Sequence, residues 1–221
     1  MERKDTSSII VPSNSEDNME HCHRHWEFME GDICNIKFSL RESILFWEKM
    51  LHPSTFVLNI LRDGYLLPFT KTPPGFYAEN NLSALKHADF VGEAVEKLLS
   101  SGFIAELPEP AYCCNPLTVA DKGKLRLVLD LRHINTYLVL KKFKYEDLKI
   151  VAEIFEQHDY FIRFDLTSGY HHIDIHPEHQ QFLGFHWVFN GNVHRHFCFT
   201  VLPFGLASAG YVFTKMLRPL T

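Results

Sequence analysis

Asp165 closes the apolar run "YFIRF" and opens "DLTSGYHHIDI", with Tyr170 five positions further on. A carboxylate at a strand end serves as a turn former, a helix N-cap or a metal ligand. In a D-x-x-S-G context, local backbone bonding is the commoner use. The neighbours of Asp165 change that weighting. Around the turn Asp121-Lys122-Gly123, Lys122 and Arg126 offer an ammonium, a guanidinium fork and nearby backbone N–H groups, a set suited to a polyphosphate. The flat ring of Tyr170 and the glycine-containing "LPFGLA" at 202–207 would complete a nucleotide site.

Other chemistry-bearing residues carry weaker signals. His21, Cys22, His23, His25 and Cys34 gather in "HCHRHWEFMEGDIC", but their spacing fits no familiar zinc pattern, so the segment reads as a polar lead-in. His171 and His172 are adjacent on what reads as a strand, where neighbouring side chains point to opposite faces, and they are assigned to the fold. The five cysteines include no CxxC pair, which argues against a disulfide scaffold and for a reducing compartment, cytoplasm or nucleus.

The elements that must position these groups follow from periodicity. Residues 1–20 are rich in Ser, Asn and acids and read as a disordered tail. "LRESILFWEKMLHP" and "STFVLNILRDGY" read as amphipathic segments ended by Pro53 and Gly64. In 81–102, Leu85, Ala88, Val91, Val95, Leu98 and Leu99 recur at helical spacing before Gly102. Beyond Gly102 the period changes to that of strands. "FIAEL" is one, and Leu117 and Val119, then Leu125, Leu127 and Leu129, flank a hairpin turn with a basic tip. "YEDLKIVAEIF" reads as a helix and "YFIRFD" as a short strand. Asn190-Gly191 marks a second hairpin, with Phe185, Trp187 and Phe189 before it and Phe197, Phe199 and Val201 after it. A last helix carries Ala209, Val212, Phe213, Met216 and Leu217 on its apolar face. The element order predicts an α+β domain with an antiparallel sheet.

The bulk numbers agree with a folded chain. Hydrophobic residues make up 46% of the 221, enough to bury a core, which excludes disorder throughout. The first 34 residues hold eight acids and three bases and so carry the whole net charge of −5. The remainder is neutral, with Lys122, Lys124, Arg126, Arg132, Lys141, Lys142, Lys144 and Lys149 concentrating positive charge where an anionic partner would sit. The N-terminus lacks an apolar signal segment, and no apolar run reaches membrane-spanning length.

Three blocks resemble reverse transcriptase motifs, in order. "KGKLRLVLDLRHIN" is similar to the fingers strands, "FDLTSGYHHIDI" to the first palm motif, and "FTVLPFGLASAGYVFTKML" to the Phe-Gly block before a helix. The wording "LRLVLDLRHIN", "DLTSGYHHIDIHPEHQQFLGF" and "FTKMLRPL" most resembles the DIRS-type, tyrosine-recombinase retrotransposons, over about residues 36–221. Composition makes residues 1–35 a disordered acidic tail, and the resemblance implies a helical extension at 36–101 and fingers with a partial palm at 102–221.

It also implies roles. Asp165 would be the first metal-binding carboxylate of a two-metal polymerase using Mg2+, with Leu166 lending its backbone carbonyl. Tyr170 would lie under the sugar and exclude a 2′-hydroxyl. Lys122, or Lys124 in its place, would grip the triphosphate with Arg126. Phe204 and Gly205 would shape the nucleotide and template pocket. The partners would be an RNA or DNA template-primer and a deoxynucleoside triphosphate. Structural uses stand beside these roles: Arg126 as an outward strand residue, Tyr170 as core, Phe204 as packing. Asp174 matches a non-catalytic position, and Gly210 stands where these elements usually carry proline. No Asp-Asp pair occurs in the 221 residues, whereas the family's second catalytic block is an aromatic-x-Asp-Asp turn. The expectation is therefore a truncated reverse transcriptase, inactive by itself, or a decayed copy acting as an interaction module.

Overall fold

The computed structural model describes residues 40–121, 123–144, 153, 156 and 166–220. The expected tail, the His/Cys segment, most of the "YEDLKIVAEIF" helix and the "YFIRFD" strand lie outside them, as do Lys122 and Asp165. The chain divides into two units, residues 35–143 with 168–220, and residues 144–167 with 1–34 and Thr221. The described residues of the second unit (Lys144, Glu153, Glu156, Leu166 and Thr167) are all exposed.

In the larger unit the first segment winds from a 3-10 turn at Leu40–Ser43 through Ile44–Phe46 into a π-helical stretch at Trp47–Leu51. It buries Trp47, and His52 ends it in a left-handed conformation just before Pro53. The helix Thr55–Asp63 buries Val57, Ile60 and Leu61, the three-and-four spacing of an amphipathic helix. Gly64 stops it at φ +88, and a Cβ there would come within 2.7 Å of the His176 backbone nitrogen.

The single helix expected over 81–102 is two, Leu82–Lys86 and Ala88–Ser100, parted at His87. The longer helix buries Val91 and Val95, and its Gly92 lies close to Trp187 and Phe189. The shorter one is held elsewhere, by hydrogen bonds from residues 80–83 to the strand Leu117–Asp121.

Among the described residues, seven strands form two sheets: β1 Phe76–Tyr77, β2 Ile104–Leu107, β3 Cys113–Cys114, β4 Leu117–Asp121, β5 Leu125–Leu129, β6 Gly184–Phe189 and β7 Val193–Phe199. The larger sheet runs β1-β3-β6-β7-β2, and β4–β5 is a two-stranded ribbon. The expected antiparallel sheet is in fact mixed: β2–β7 and β6–β7 are antiparallel, while β1–β3 and β3–β6 are parallel. β1 and β3 have two residues each, too few for alternation to show in sequence.

β6 and β7 centre the core. Phe185 stacks on Phe197 at 5.3 Å, and both are fully buried. Their turn places Gly191 at φ +85 and Asn192 at φ +61, the left-handed positions a tight hairpin needs. Arg195 of β7 forks onto Glu106 of β2 at 2.7 and 2.8 Å and reaches Glu96 of the long helix at 2.5 Å. Its guanidinium also lies 4.9 Å from the Phe189 ring centroid and holds the Glu106 carboxyl below its ordinary range by hydrogen bonding. Among the described residues, no helix is long and apolar enough to cross a membrane.

Candidate nucleotide site

The β4–β5 ribbon presents Arg126. Register pairs Leu117 with Leu129 and Ala120 with Arg126, and Gly123 turns the tip at φ +85. Leu117, Val119 and Leu129 face inward and are buried, while Arg126 is exposed on the other face, as alternation requires. Lys124 is exposed at the tip.

The outer edge of β4 is covered by residues 80–83. Leu117 N–H donates to Asn80 Oδ1 at 2.8 Å, Asn81 N–H to the Leu117 carbonyl at 3.1 Å, and Val119 N–H to Ser83 Oγ at 3.2 Å. Asn81 Nδ2 donates to Thr118 Oγ1 at 2.5 Å and to Asp130 Oδ2 at 3.3 Å. Asp130 in turn accepts from Arg132 Nη2 at 2.6 Å and Nε at 2.9 Å, bonds that hold its carboxyl below the ordinary range. An edge strand satisfied this way keeps its place without a third strand.

Tyr170 lies in the 3-10 turn Gly169–His172, entered through Ser168 at φ +54. The strand expected for His171 and His172 is thus replaced by a tight turn, which sends His171 inward and leaves His172 half-buried. His171 packs against Phe103 at 4.8 Å and Phe204 at 5.5 Å. Burial, with His172 adding to it, pushes its pKa down to about 4, so the imidazole is neutral near pH 7. The Tyr170 ring meets Phe204 at 5.1 Å and, edge-on, Phe213 at 5.2 Å. Phe213 lies on the final helix, Ala209–Leu217, which buries Ala209, Val212 and Met216.

Phe204 and Gly205 open the turn that leads into that helix. Gly205 adopts φ +107, and a Cβ there would collide with the Leu129 carbonyl oxygen and approach Val128 Cγ1 at 3.5 Å. Glycine is required on both counts. Val128 shares a ribbon face with Arg126, two residues or roughly 7 Å along β5. Tyr170, Phe204, Gly205 and the Arg126 strand therefore meet around one surface. Asn135, the last residue of the short helix Arg132–Asn135, fastens this turn. Its Nδ2 donates to the Gly205 carbonyl at 2.9 Å, and its Oδ1 accepts from Ala207 N–H at 2.9 Å.

Asn81 and Asn135 were not singled out from sequence, although Asn135 closes the quoted "LRHIN" run. Leu166, assigned to the metal with Asp165, is exposed. Among the described residues, no three His, Cys, Asp or Glu side chains gather closely enough to hold a metal ion.

Residues 116–221 match the family model described as reverse transcriptase (RNA-dependent DNA polymerase). This segment is similar to reverse transcriptases. The chain is 29% identical over 149 residues to the retrovirus-related Pol polyprotein from transposon 412 of Drosophila melanogaster, covering 64% of this chain and 12% of that protein. It is 25% identical over 153 residues to a putative enzymatic polyprotein of Cassava vein mosaic virus, covering 66% of this chain and 22% of the relative. The chain thus spans under a quarter of the length of these relatives. The foamy viral protease-reverse transcriptase in complex with RNA/DNA hybrid shares the fold over 71% of this chain and 21% of its own, with TM-score 0.53 and 19% identity. The native prototype foamy virus enzyme gives TM-score 0.51 and 22% identity over the same shares of the two chains.

Proposed function

We propose that this chain forms the nucleotide-gripping part of a retroelement reverse transcriptase of the DIRS type. On this reading 36–101 is an extension and 102–221 are fingers and the first part of the palm, acting inside the cell on an RNA or DNA template-primer and a deoxynucleoside triphosphate. The observation that carries it is the contact of Tyr170 with Phe204 beside Gly205, which is itself seated on the strand bearing Arg126. The DIRS assignment rests on the wording of "LRLVLDLRHIN" and "DLTSGYHHIDI".

Arg126, with Lys122 or Lys124, binds the triphosphate as a fork and a point charge. Tyr170 carries a rigid ring against which a 2′-hydroxyl would collide, so deoxyribose is favoured. Phe204 supports that ring from the side, and Gly205 lets the turn approach without a side chain in the way. Asp165 and the Leu166 carbonyl would be the oxygen donors for Mg2+, a hard ion that would supply charge stabilisation to the phosphates.

The test is binding and extension on poly(rA)·oligo(dT) with Mg2+. A polypeptide of these 221 residues should bind the duplex with a steep loss of affinity as salt rises. It should add negligible dTTP, because the residues include no Asp-Asp pair. Robust extension would overturn the expected inactivity. Absence of salt-dependent binding would overturn the template-primer assignment.

A further inference from the structure

We infer that Asn135 is a positioning residue that sets the Tyr170–Phe204 pair by clamping the 204–207 turn to the base of the β4–β5 ribbon. This deepens the nucleotide-site reading and rests on it for its functional meaning. The geometry stands independently of that reading.

One side-chain amide serves two backbone groups that lie two residues apart. Asn135 Nδ2 must face the Gly205 carbonyl and Oδ1 must face Ala207 N–H. The reverse orientation would set donor against donor and acceptor against acceptor, so both bonds fix the same rotamer. Asn135 is itself anchored, since its N–H donates to the Leu131 carbonyl at 2.8 Å and Leu131 is buried.

The turn needs such a clamp. Phe204 is 45% exposed, and Gly205 and Ala207 are also exposed, so within the turn burial anchors Leu206 but does little to hold the residues on either side of it. Ser208, at the start of the Ala209–Leu217 helix, offers no side-chain cap. With no Cβ at Gly205 the turn can sit close to the Leu129 carbonyl, and Asn135 stops it from moving away. Phe204 is then held where its ring meets Tyr170 and His171. Because the clamped groups are at the surface, water can take over their hydrogen bonds. Losing the clamp should therefore free the turn locally and leave the sheet intact.

Backbone amide exchange followed by NMR on the 221-residue chain tests this. Asn135→Ala should speed exchange at Ala207 about tenfold or more, roughly the worth of one lost hydrogen bond, while Phe199 in β7 stays within about twofold. The ring-to-ring NOE between Tyr170 and Phe204 should weaken in the same variant. Asn135→Asp keeps the acceptor for Ala207 N–H but sets a second oxygen against the Gly205 carbonyl, so it should recover only part of the Ala207 protection lost in Asn135→Ala. Unchanged Ala207 exchange in Asn135→Ala, or equal acceleration at Ala207 and Phe199 in both variants, would overturn the inference. Affinity for dATP against ATP is measured on the same samples. A parent chain that does not prefer dATP would sink the nucleotide-site reading and leave the clamp to be judged by exchange. With the preference present, Asn135→Ala should narrow it.

Discussion

The β6–β7 hairpin lies inside a five-stranded sheet, whereas the β4–β5 hairpin forms a sheet of its own. The first buries large rings on one another, Phe185 against Phe197, and is pinned outside by the Arg195 fork to Glu106 and Glu96. The second buries Leu117, Val119 and Leu129 on one face and leaves Arg126 exposed on the other. Its edge is closed by short polar side chains, Asn80, Asn81 and Ser83. One hairpin is stabilised by apolar area. The other is positioned by directional bonds, which leave a face available for chemistry. The same alternating pattern thus yields an element buried on both faces or one with an exposed face, according to what covers the second face.

The largest break in this comparison is Phe197→Ala. It removes a fully buried ring from the Phe185 stack and should cost about 3–5 kcal/mol in urea denaturation. A loss below about 1 kcal/mol would mean β6–β7 is not the core hairpin.

Acid should act next, through His171. Its pKa is pushed from 6.5 down to about 4 by burial. Above pH 6.5 the ring is neutral folded and unfolded, and stability does not depend on it. Between 6.5 and about 4 the unfolded chain takes up a proton that the folded chain refuses, so stability falls as pH falls. Below about 4 both states are protonated and the dependence ends. The full span corresponds to about 3 kcal/mol. His179 and His186 are also lowered by burial, so the measurement is a difference. The stability of the parent minus that of His171→Gln should drop by up to about 3 kcal/mol from pH 7 to pH 4. A constant difference would contradict the burial account.

Gly205→Ala should cost about 2 kcal/mol, combining the strain of φ +107 with the collision at the Leu129 carbonyl, and should weaken nucleotide binding as well. Asn81→Ala should cost about 1 kcal/mol and loosen β4. Exchange protection in β6–β7 should not change, and a loss there would erase the distinction between the hairpins. Smallest in stability is Arg126→Ala, expected within about 0.5 kcal/mol of the parent because the side chain is exposed. Its signature is instead about a tenfold loss of triphosphate affinity, the scale of a charge-assisted hydrogen bond.

Elements with repeated periodicity were legible in the sequence. Val57, Ile60 and Leu61 before Gly64, the alternation around Gly123, and Phe185 to Val201 around Asn190-Gly191 each carry enough residues for a pattern. What escaped depends on partners remote in the chain. β1 and β3 are two residues each, and their pairing is set by residues 37 positions apart. The break at His87 follows from bonds between residues 80–83 and β4, which no local propensity encodes. The 3-10 turn at Gly169–His172 replaces an expected strand because Ser168 is left-handed, a conformation uncommon for serine. In the site, Tyr170, Phe204 and Gly205 could be named from their motif blocks. Asn135 could not, because its meaning lies in Gly205 and Ala207, about 70 residues away.

The most direct test of the account is equilibrium binding of dATP and ATP, with Mg2+, to the parent chain, Tyr170→Ala and Arg126→Ala. The account predicts that the parent prefers dATP. Tyr170→Ala should bring ATP toward the affinity of dATP, and Arg126→Ala should weaken both alike. Equal affinity of the parent for the two nucleotides, or a preference for dATP that survives in Tyr170→Ala, would contradict it.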